Sequence, residues 1–413
     1  MNRWLAVLIL SLFCLFLIFA TGFTMYSRLL YAIGLTMGAT YLWSARGIHN
    51  LELLGQRRSL RLQVGDTIEE QLTLRNTSHF TKPWLEVRDL TTLPGLQPGR
   101  ILRIGGQESQ TWGQRLTARK RGIYTLGPLE VRSPDPFGLF IHRRHLLGTH
   151  SVIVYPATQE IPILRLPLVG QTGEGSHQQH AQLPSPHASS VREYTATDGF
   201  NRIHWPTTAR LGKLMVKQFD EGAGNTLWLL VDLFHGAQFG SGEAVTDEYA
   251  VMVAASVAKR YLQLSVPVGL VAYGHEAISV KADKGVAQLP RLLGALASVK
   301  AEGEIPLTDA LLKQQADFQG LNTLMIITAS TDPSWALSLQ PLIQRGTRIV
   351  AVIVDPNSFG TAEPLGPLLD GLAMAGVTSY VVRNGEPLAA GLAHPYEAGV
   401  AGTSVGQQIG SWE

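Results

Sequence analysis

Leu227-Trp228-Leu229-Leu230-Val231-Asp232-Leu233-Phe234-His235-Gly236 reads as a buried strand that runs out into a loop at Asp232. Five apolar residues in a row, with no polar alternation, suit a strand covered on both faces. The pattern repeats downstream. Glu243 to Leu264 places Val245, Tyr249, Val253, Val257 and Tyr261 at near-helical spacing. Val266 to Ala272 is the next strand, Leu289 to Val299 is helical, and Thr323 to Ile327 and Arg348 to Val354 are further buried strands. A helix over Trp335 to Gln344 separates these two, and Gly376-Val377 to Val382 is the last strand. Strands alternating with helices predict an α/β domain around a mostly parallel, Rossmann-type sheet.

Outward toward the N-terminus the period changes. Gln71-Leu72-Thr73-Leu74-Arg75, Leu85-Glu86-Val87-Arg88 and Leu129-Glu130-Val131-Arg132 alternate polar and apolar residues. Turn signals at Val64-Gly65-Asp66, Asn76-Thr77-Ser78, Pro94-Gly95, Gly105-Gly106 and Arg121-Gly122 separate such runs. Short strands at this spacing predict an immunoglobulin-like β-sandwich. Leu168 to Ser190 is rich in Gly, Ser, Gln, His and Pro and reads as a linker. Its His177, His180 and His187 are read as solvated linker residues rather than metal ligands.

Leu5 to Ala20 is almost unbroken Leu, Ile, Phe, Val and Ala, and a second apolar stretch runs from Leu29 to about Trp43. With their flanks, both approach the roughly 20 helical residues that cross a hydrocarbon core. Ala20-Thr21-Gly22 is a poor cleavage site, so a transmembrane hairpin is expected rather than a signal peptide. Arg3 precedes it, Arg46, Arg57, Arg58 and Arg61 follow it, and Arg28 sits in the connection. This bias places both termini in the cytoplasm, with the chain at the cell inner membrane and the lipid bilayer as a partner. The expected organisation is a transmembrane hairpin over 1–46, a β-sandwich over 58–160, a linker over 161–190, an α/β domain over 191–392 and a disordered tail over 393–413.

The 413 residues carry a net charge of +2, with no concentrated basic run, which argues against nucleic-acid binding. One cysteine, Cys14, allows no intrachain disulfide. No Cys/His cluster has zinc spacing, no phosphate loop or H-E-x-x-H is present, and no cofactor is expected. Gly402-Thr403-Ser404-Val405-Gly406 matches G-x-S-x-G by letter but lies in the tail, away from any strand-to-helix elbow. The chain is therefore read as a non-enzyme with no catalytic residues assigned.

Two segments remain as candidate sites. Ligands of open α/β sheets bind at the carboxyl ends of strands, which draws attention to Asp232. The topology resembles that of a von Willebrand factor A-type domain, which carries D-x-S-x-S there to supply oxygens to a divalent cation. Here Phe234 and Gly236 stand in place of both hydroxyl residues, and only Asp232 is kept. No metal is assigned; Asp232 is the candidate ligand, with Asp332, Thr308 and Asp309 able to add oxygens. The second segment runs from Val191 to Val216 and concentrates Arg192, Tyr194, Asp198, Arg202, Trp205 and Arg210. Guanidinium groups grip carboxylates and stack on rings. These residues either hold a partner's acidic or aromatic side chain or fasten the linker to the domain.

Arg192-x-Tyr194, Asp198, Arg202-Ile203-His204-Trp205 and Ala209-Arg210 together resemble the signature of the bacterial domain of unknown function 58 family. Arg121-Gly122-x-Tyr124-x-Leu126-Gly127-Pro128, Asp135-Pro136-Phe137-Gly138-Leu139 and the double apolar segment resemble that family's preceding region. The resemblance implies a membrane-anchored protein with a β-sandwich and a von Willebrand factor A-like domain, acting as partner or adaptor of a MoxR-type AAA+ ATPase. Thr197 stands where the family often has Gly before the motif aspartate. Two other functions remain open: a divalent-cation-dependent ligand-binding domain, and an envelope-related hydrolase using Asp198 or His204 as acid–base.

Overall fold

The computed structural model describes residues 3–55, 60–95, 99–164, 166, 188–195, 203–219, 226–242, 244–313, 322–360 and 362–396. The chain forms two compact units, Met1–Ala157 and Thr158–Glu413.

The first unit opens with helices α1 (Arg3–Thr21) and α2 (Thr24–Ile48). Strands β1 (Leu51–Leu54), β2 (Leu60–Gln63), β3 (Thr67–Asn76), β4 (Lys82–Asp89) and β5 (Arg100–Ile104) follow. Then come β6 (Ser109–Thr117), β7 (Gly122–Leu126), β8 (Leu129–Pro134), β9 (Ile141–Leu147) and β10 (His150–Tyr155). They pair into sheets ordered β1-β3-β6, β5-β4-β8-β9 and β2-β10-β7. The alternation seen in sequence is what closes the core. Leu72 and Leu74 of β3 and Trp112 of β6 share one buried cluster with Leu85 and Val87 of β4 and Leu129 and Val131 of β8. The inward faces of the first two sheets thus pack on each other as sandwich layers.

The N-terminal segments correct an expectation. Among the described residues no helix is long and apolar enough to cross a membrane, so the transmembrane hairpin expected over 1–46 is not what the structure contains. The 19 residues of α1 span about 28 Å at 1.5 Å per residue, short of a hydrocarbon core of about 30 Å. Helix α2 is longer, but it carries Arg28 and Arg46, and its C-terminal half belongs to the sandwich. Thr40, Ser44 and Ile48 are buried. Ser44 Oγ donates to Ser133 O at 2.5 Å, and the Tyr41 ring meets Phe140 edge-on at 5.6 Å. A Cβ on Gly47 would lie 2.7 Å from Ser133 Cβ, so glycine permits this close approach. Lys82 Nζ donates to the carbonyls of Arg46 and His49 and so closes the end of α2. Burial, then the nearby Arg46 charge, pulls the Lys82 pKa down.

The second unit begins with 158–164, where Ile161 and Leu164 are buried and Tyr261 Oη donates to Leu164 O at 3.3 Å. The start of the expected linker is therefore packed, while 165 and 167–187, with His177, His180 and His187, lie outside the described residues. An antiparallel ribbon of β11 (Ala188–Glu193) and β12 (Met215–Phe219) brackets helix α3 (Trp205–Leu211). Strand β13 (Leu227–Asp232) then enters the main sheet. The short strands β14 (Gly240–Ser241) and β15 (Ala244–Val245) lead to helix α4 (Thr246–Gln263). Strands β16 (Val268–Tyr273) and β17 (Ala277–Asp283) precede helices α5 (Gln288–Ser298) and α6 (Leu307–Lys313). Strand β18 (Thr323–Thr328) is followed by α7 (Ser334–Leu337), α8 (Gln340–Gln344) and β19 (Arg348–Val354). Helix α9 (Gly366–Met374), β20 (Thr378–Val382) and α10 (Leu388–Gly391) complete the unit. Tyr396 N donates to Ser379 O at 2.7 Å, so the start of the expected disordered tail is held; 397–413 lie outside the described residues.

The main sheet has the order β17-β16-β13-β18-β19-β20, with β17 antiparallel and the rest parallel. Leu230, Ile326, Ala351 and Ile353 join a buried cluster with Leu311, Trp335, Leu342 and Leu372 from α6, α7, α8 and α9. The alternate residues point to the other face, where α4 lies against β13 and β18. Such two-sided cover explains why these strands read as continuous apolar runs. The helix expected over Trp335 to Gln344 is split into α7 and α8, with Pro341 in the first turn of the second.

Candidate functional site

Strand β13 sends its successors to opposite sides. The chain goes first to β16 and β17, then returns past β13 to β18, β19 and β20. The switch falls between β13 and β18, where a doubly wound sheet opens a crevice at its carboxyl ends. Asp232 ends β13 and Thr328 ends β18, and both are buried. Thr328 Oγ1 donates to Asp232 Oδ2 at 2.6 Å, and the Phe234 backbone N–H donates to Asp232 Oδ1 at 3.1 Å. The same Thr328 hydroxyl oxygen accepts the Ser330 N–H at 2.9 Å. Burial pushes the Asp232 pKa up; the hydrogen bonds from Thr328 and the Phe234 N–H pull it back only in part. Asp232 therefore ties the two switch-point loops together.

Above it lies a crevice of about 600 Å³. Phe234, Ala237 and Phe239 line it from the β13 loop, Pro306, Leu307 and Thr308 from the start of α6, and Ser330, Thr331, Asp332 and Trp335 from the β18 loop and α7. Ala362 and Glu363 complete the wall. Asp332 accepts hydrogen bonds from the Ser334 N–H at 2.9 Å and the Ser334 hydroxyl at 2.5 Å. Gly303 seats the neighbouring loop: its N–H donates to Leu233 O at 3.2 Å, and a Cβ there would lie 2.8 Å from Tyr273 O.

The loop after Asp232 is shaped by its two departures from the cation pattern. A Cβ on Gly236 would lie 2.6 Å from the Phe234 ring, so the ring fills the space a hydroxyl side chain at 236 needs. Among the described residues no group of three or more His, Cys, Asp or Glu is arranged to hold a metal ion. Asp232, Thr308, Ser330 and Asp332 all line the crevice, whereas Asp309 does not.

The second candidate segment is built as the ribbon dictates. Arg192 stands opposite Val216 and Glu193 opposite Met215. Tyr194 N donates to Leu214 O at 2.9 Å, and His204 N donates to Met215 O at 2.8 Å. Pro206 sits in the first turn of α3, and Gly212, at φ +68°, ends it in the left-handed conformation. Thr208 Oγ1 accepts the Met215 N–H at 3.0 Å and His204 Nδ1 lies 2.7 Å from Thr207 Oγ1. Lys213 and Glu193 pair at 2.8 Å on the surface; this contact lowers the glutamate's pKa and raises the lysine's. Trp205 is 63% exposed and Arg210 is exposed, but five helical positions set them about 140° apart. Asp198 and Arg202 lie outside the described residues, as does the side chain of Arg192. The structure brings Arg192 and Tyr194 beside the α3 turn by backbone pairing and does not gather Trp205 and Arg210 into one grip. Sequence reasoning missed Glu363, Trp335 and the Phe239 wall. Phe234 and Trp335 carried the signal, as bulky residues flanking strand ends.

Comparison with known proteins finds one family match within the second unit. Residues 190–359 match the family described as "Protein of unknown function DUF58". The uncharacterized protein YeaD of Bacillus subtilis (strain 168) is 26% identical over 266 residues, covering 61% of this chain. The chain spans 63% of that relative's length, under two thirds. Among solved structures, proximal thread matrix protein 1 from the mussel byssus shares 10% identity at a TM-score of 0.30, over 41% of this chain and 46% of that one. The CARDB domain of a Pyrococcus furiosus protein shares 15% identity at a TM-score of 0.21, over 25% of this chain and 94% of that one. At such scores these structures carry no argument. From the β11–β12 ribbon past Asp232 to the turn after β19, residues 190–359 of this chain match the DUF58 family.

Proposed function

We propose that this protein is a non-catalytic adaptor whose second unit, of the von Willebrand factor A type, docks a protein partner in the switch-point crevice. The observation that carries the reading is the state of Asp232. Its two oxygens are committed to Thr328 and the Phe234 N–H, so the carboxylate holds the loops that shape a preformed crevice. A partner surface then meets a rigid rim rather than a reactive group. The family resemblance makes a MoxR-type AAA+ ATPase the partner to seek. Attachment to the surface of the inner membrane, through exposed apolar side chains of α1 such as Leu12, Phe16 and Phe19, belongs to the same reading and is tested by flotation with vesicles.

The test is affinity capture from gently solubilised cells with the full-length chain and a Thr331→Trp variant that fills the crevice. Reproducible capture of a MoxR-type ATPase by the parent, lost in the variant, is expected. Capture of no such ATPase, or equal capture by both, contradicts the reading.

A cation-dependent binding domain is the second reading, because Asp232, Thr308, Ser330 and Asp332 line one crevice. Calorimetric titration with magnesium, calcium and manganese separates the two. The adaptor reading expects no heat and no change in melting temperature. Of the two acid–base candidates for a hydrolase, His204 has its Nδ1 2.7 Å from Thr207 Oγ1, and Asp198 lies outside the described residues.

A further inference from the structure

The chemistry of the crevice walls says what kind of group a partner brings. We infer that the switch-point crevice takes a Lys or Arg side chain carried on an extended segment of a protein partner, without a metal ion. This rests on the docking function proposed above and names its occupant.

Charge gives the sign. Asp332 and Glu363 are exposed carboxylates on the wall, and among the crevice's described lining residues there is no Lys, Arg or His. Such a cleft attracts a cation and repels an acidic side chain. The carboxylates are dispersed rather than gathered: no described group of three or more acidic or imidazole side chains is arranged around one point. A metal ion needs its oxygens within about 2.0–2.6 Å of one centre. A guanidinium or ammonium on a long stem instead pairs with separate carboxylates. Phe234, Phe239 and Pro306 supply apolar wall for that stem, and an aromatic face adds attraction for its head.

Hydroxyl donors distinguish a peptide from a free amine. Thr308, Ser330 and Thr331 carry hydroxyl groups on the crevice wall. A peptide segment brings carbonyl acceptors alongside its basic side chain, whereas a polyamine brings none. Asp332, fixed by its two bonds from Ser334, keeps lone pairs for an incoming donor.

The experiment is isothermal titration of the full-length protein in detergent and EDTA with three blocked pentapeptides, Gly-Gly-Xaa-Gly-Gly with Xaa as Arg, Lys or Glu, and with free arginine and spermidine. The Arg and Lys peptides are expected to bind at millimolar concentration or better. The Glu peptide should fail with and without added magnesium, and free arginine and spermidine should bind at least about tenfold more weakly, a difference worth ~1.4 kcal/mol. Glu363→Gln and Asp332→Asn should each weaken the Arg peptide by up to about fivefold.

Binding of the Glu peptide in magnesium, free arginine matching the Arg peptide, indifference to both variants, or no peptide binding overturns the inference. A photo-crosslinker at Ala362 of the full-length chain separates the levels. Crosslinks to a protein without basic-peptide binding overturn the occupant alone; loss of crosslinks as well overturns the docking function.

Discussion

Thr328→Val tests the bond that shapes the crevice. The substitution keeps side-chain size and removes one oxygen, so no cavity term enters. Two interactions go with it: the 2.6 Å donation to Asp232 Oδ2 and the acceptance of the Ser330 N–H. A hydrogen bond contributes about 0.5–1.5 kcal/mol between neutral groups and about 1.5–3 kcal/mol to a charged one, and the half-buried Ser330 N–H adds up to about 1 kcal/mol, so a loss of about 1–4 kcal/mol is expected, larger where Asp232 is ionised. The pH dependence has a fixed sign. The folded Asp232 carboxyl already has a raised pKa, so its proton-linked stability is present below the unfolded pKa and fades as pH rises through the folded one. Removing the Thr328 donor raises the pKa further, so the deficit of the variant grows with pH and shrinks on acidification. A chain with two compact units lacks a single unfolding free energy. Hydrogen exchange at Val231 and Ile327, inside β13 and β18, reads the local stability instead. A loss below about 0.5 kcal/mol, or one that ignores pH, refutes the view that Asp232 is a structural tie.

Other expectations follow from equally specific contacts. Gly47→Ala drives a methyl into Ser133 and should cost the first unit about 1–3 kcal/mol, read as a lowered urea midpoint; an unchanged midpoint means α2 does not pack on the sandwich as described. Lys82→Met leaves the Arg46 and His49 carbonyls without their donor and should destabilise the same unit by about 1–3 kcal/mol, checked by thermal melting. Because Lys82 is held below its usual pKa, that loss should widen as pH rises toward the lysine range. The double substitution Phe234→Ser, Gly236→Ser removes the ring and restores both hydroxyls beside Asp232. Calorimetry should show magnesium or manganese binding to the double variant alone; binding by the parent chain would revive the cation reading.

The main sheet was legible wherever both faces are buried. Arg348–Val354 emerges in the structure with the bounds read from its unbroken apolar run, and Leu227–Asp232 differs by its terminal aspartate. β17 was overlooked because it is an edge strand with alternating exposure, and its Ile278 and Val280 give too short a signal. The N-terminal hairpin shows the opposite failure. Hydropathy read Leu29 to about Trp43 as lipid-facing, but Thr40 within it and Ser44 and Ile48 just beyond it are buried, and Ser44 Oγ donates to Ser133 O about ninety positions away, a contact that no local window contains. Sequence found Asp232 through the strand-end rule and noted that Phe234 and Gly236 had displaced the cation loop's hydroxyls. It had no access to the ring of Phe234 lying over Gly236, nor to the approach of Glu363 and Trp335 to the same crevice, because three separated loops meet only after the sheet has formed.

The most direct test of the docking claim is site-specific photo-crosslinking in cells from Ala362, on the crevice wall, compared with Lys281, on edge strand β17. A discrete adduct containing an AAA+ ATPase from position 362, absent from 281 and abolished by Thr331→Trp, is the expected result. Adducts of equal yield from both positions, or none from 362, would contradict a partner-docking role for the crevice.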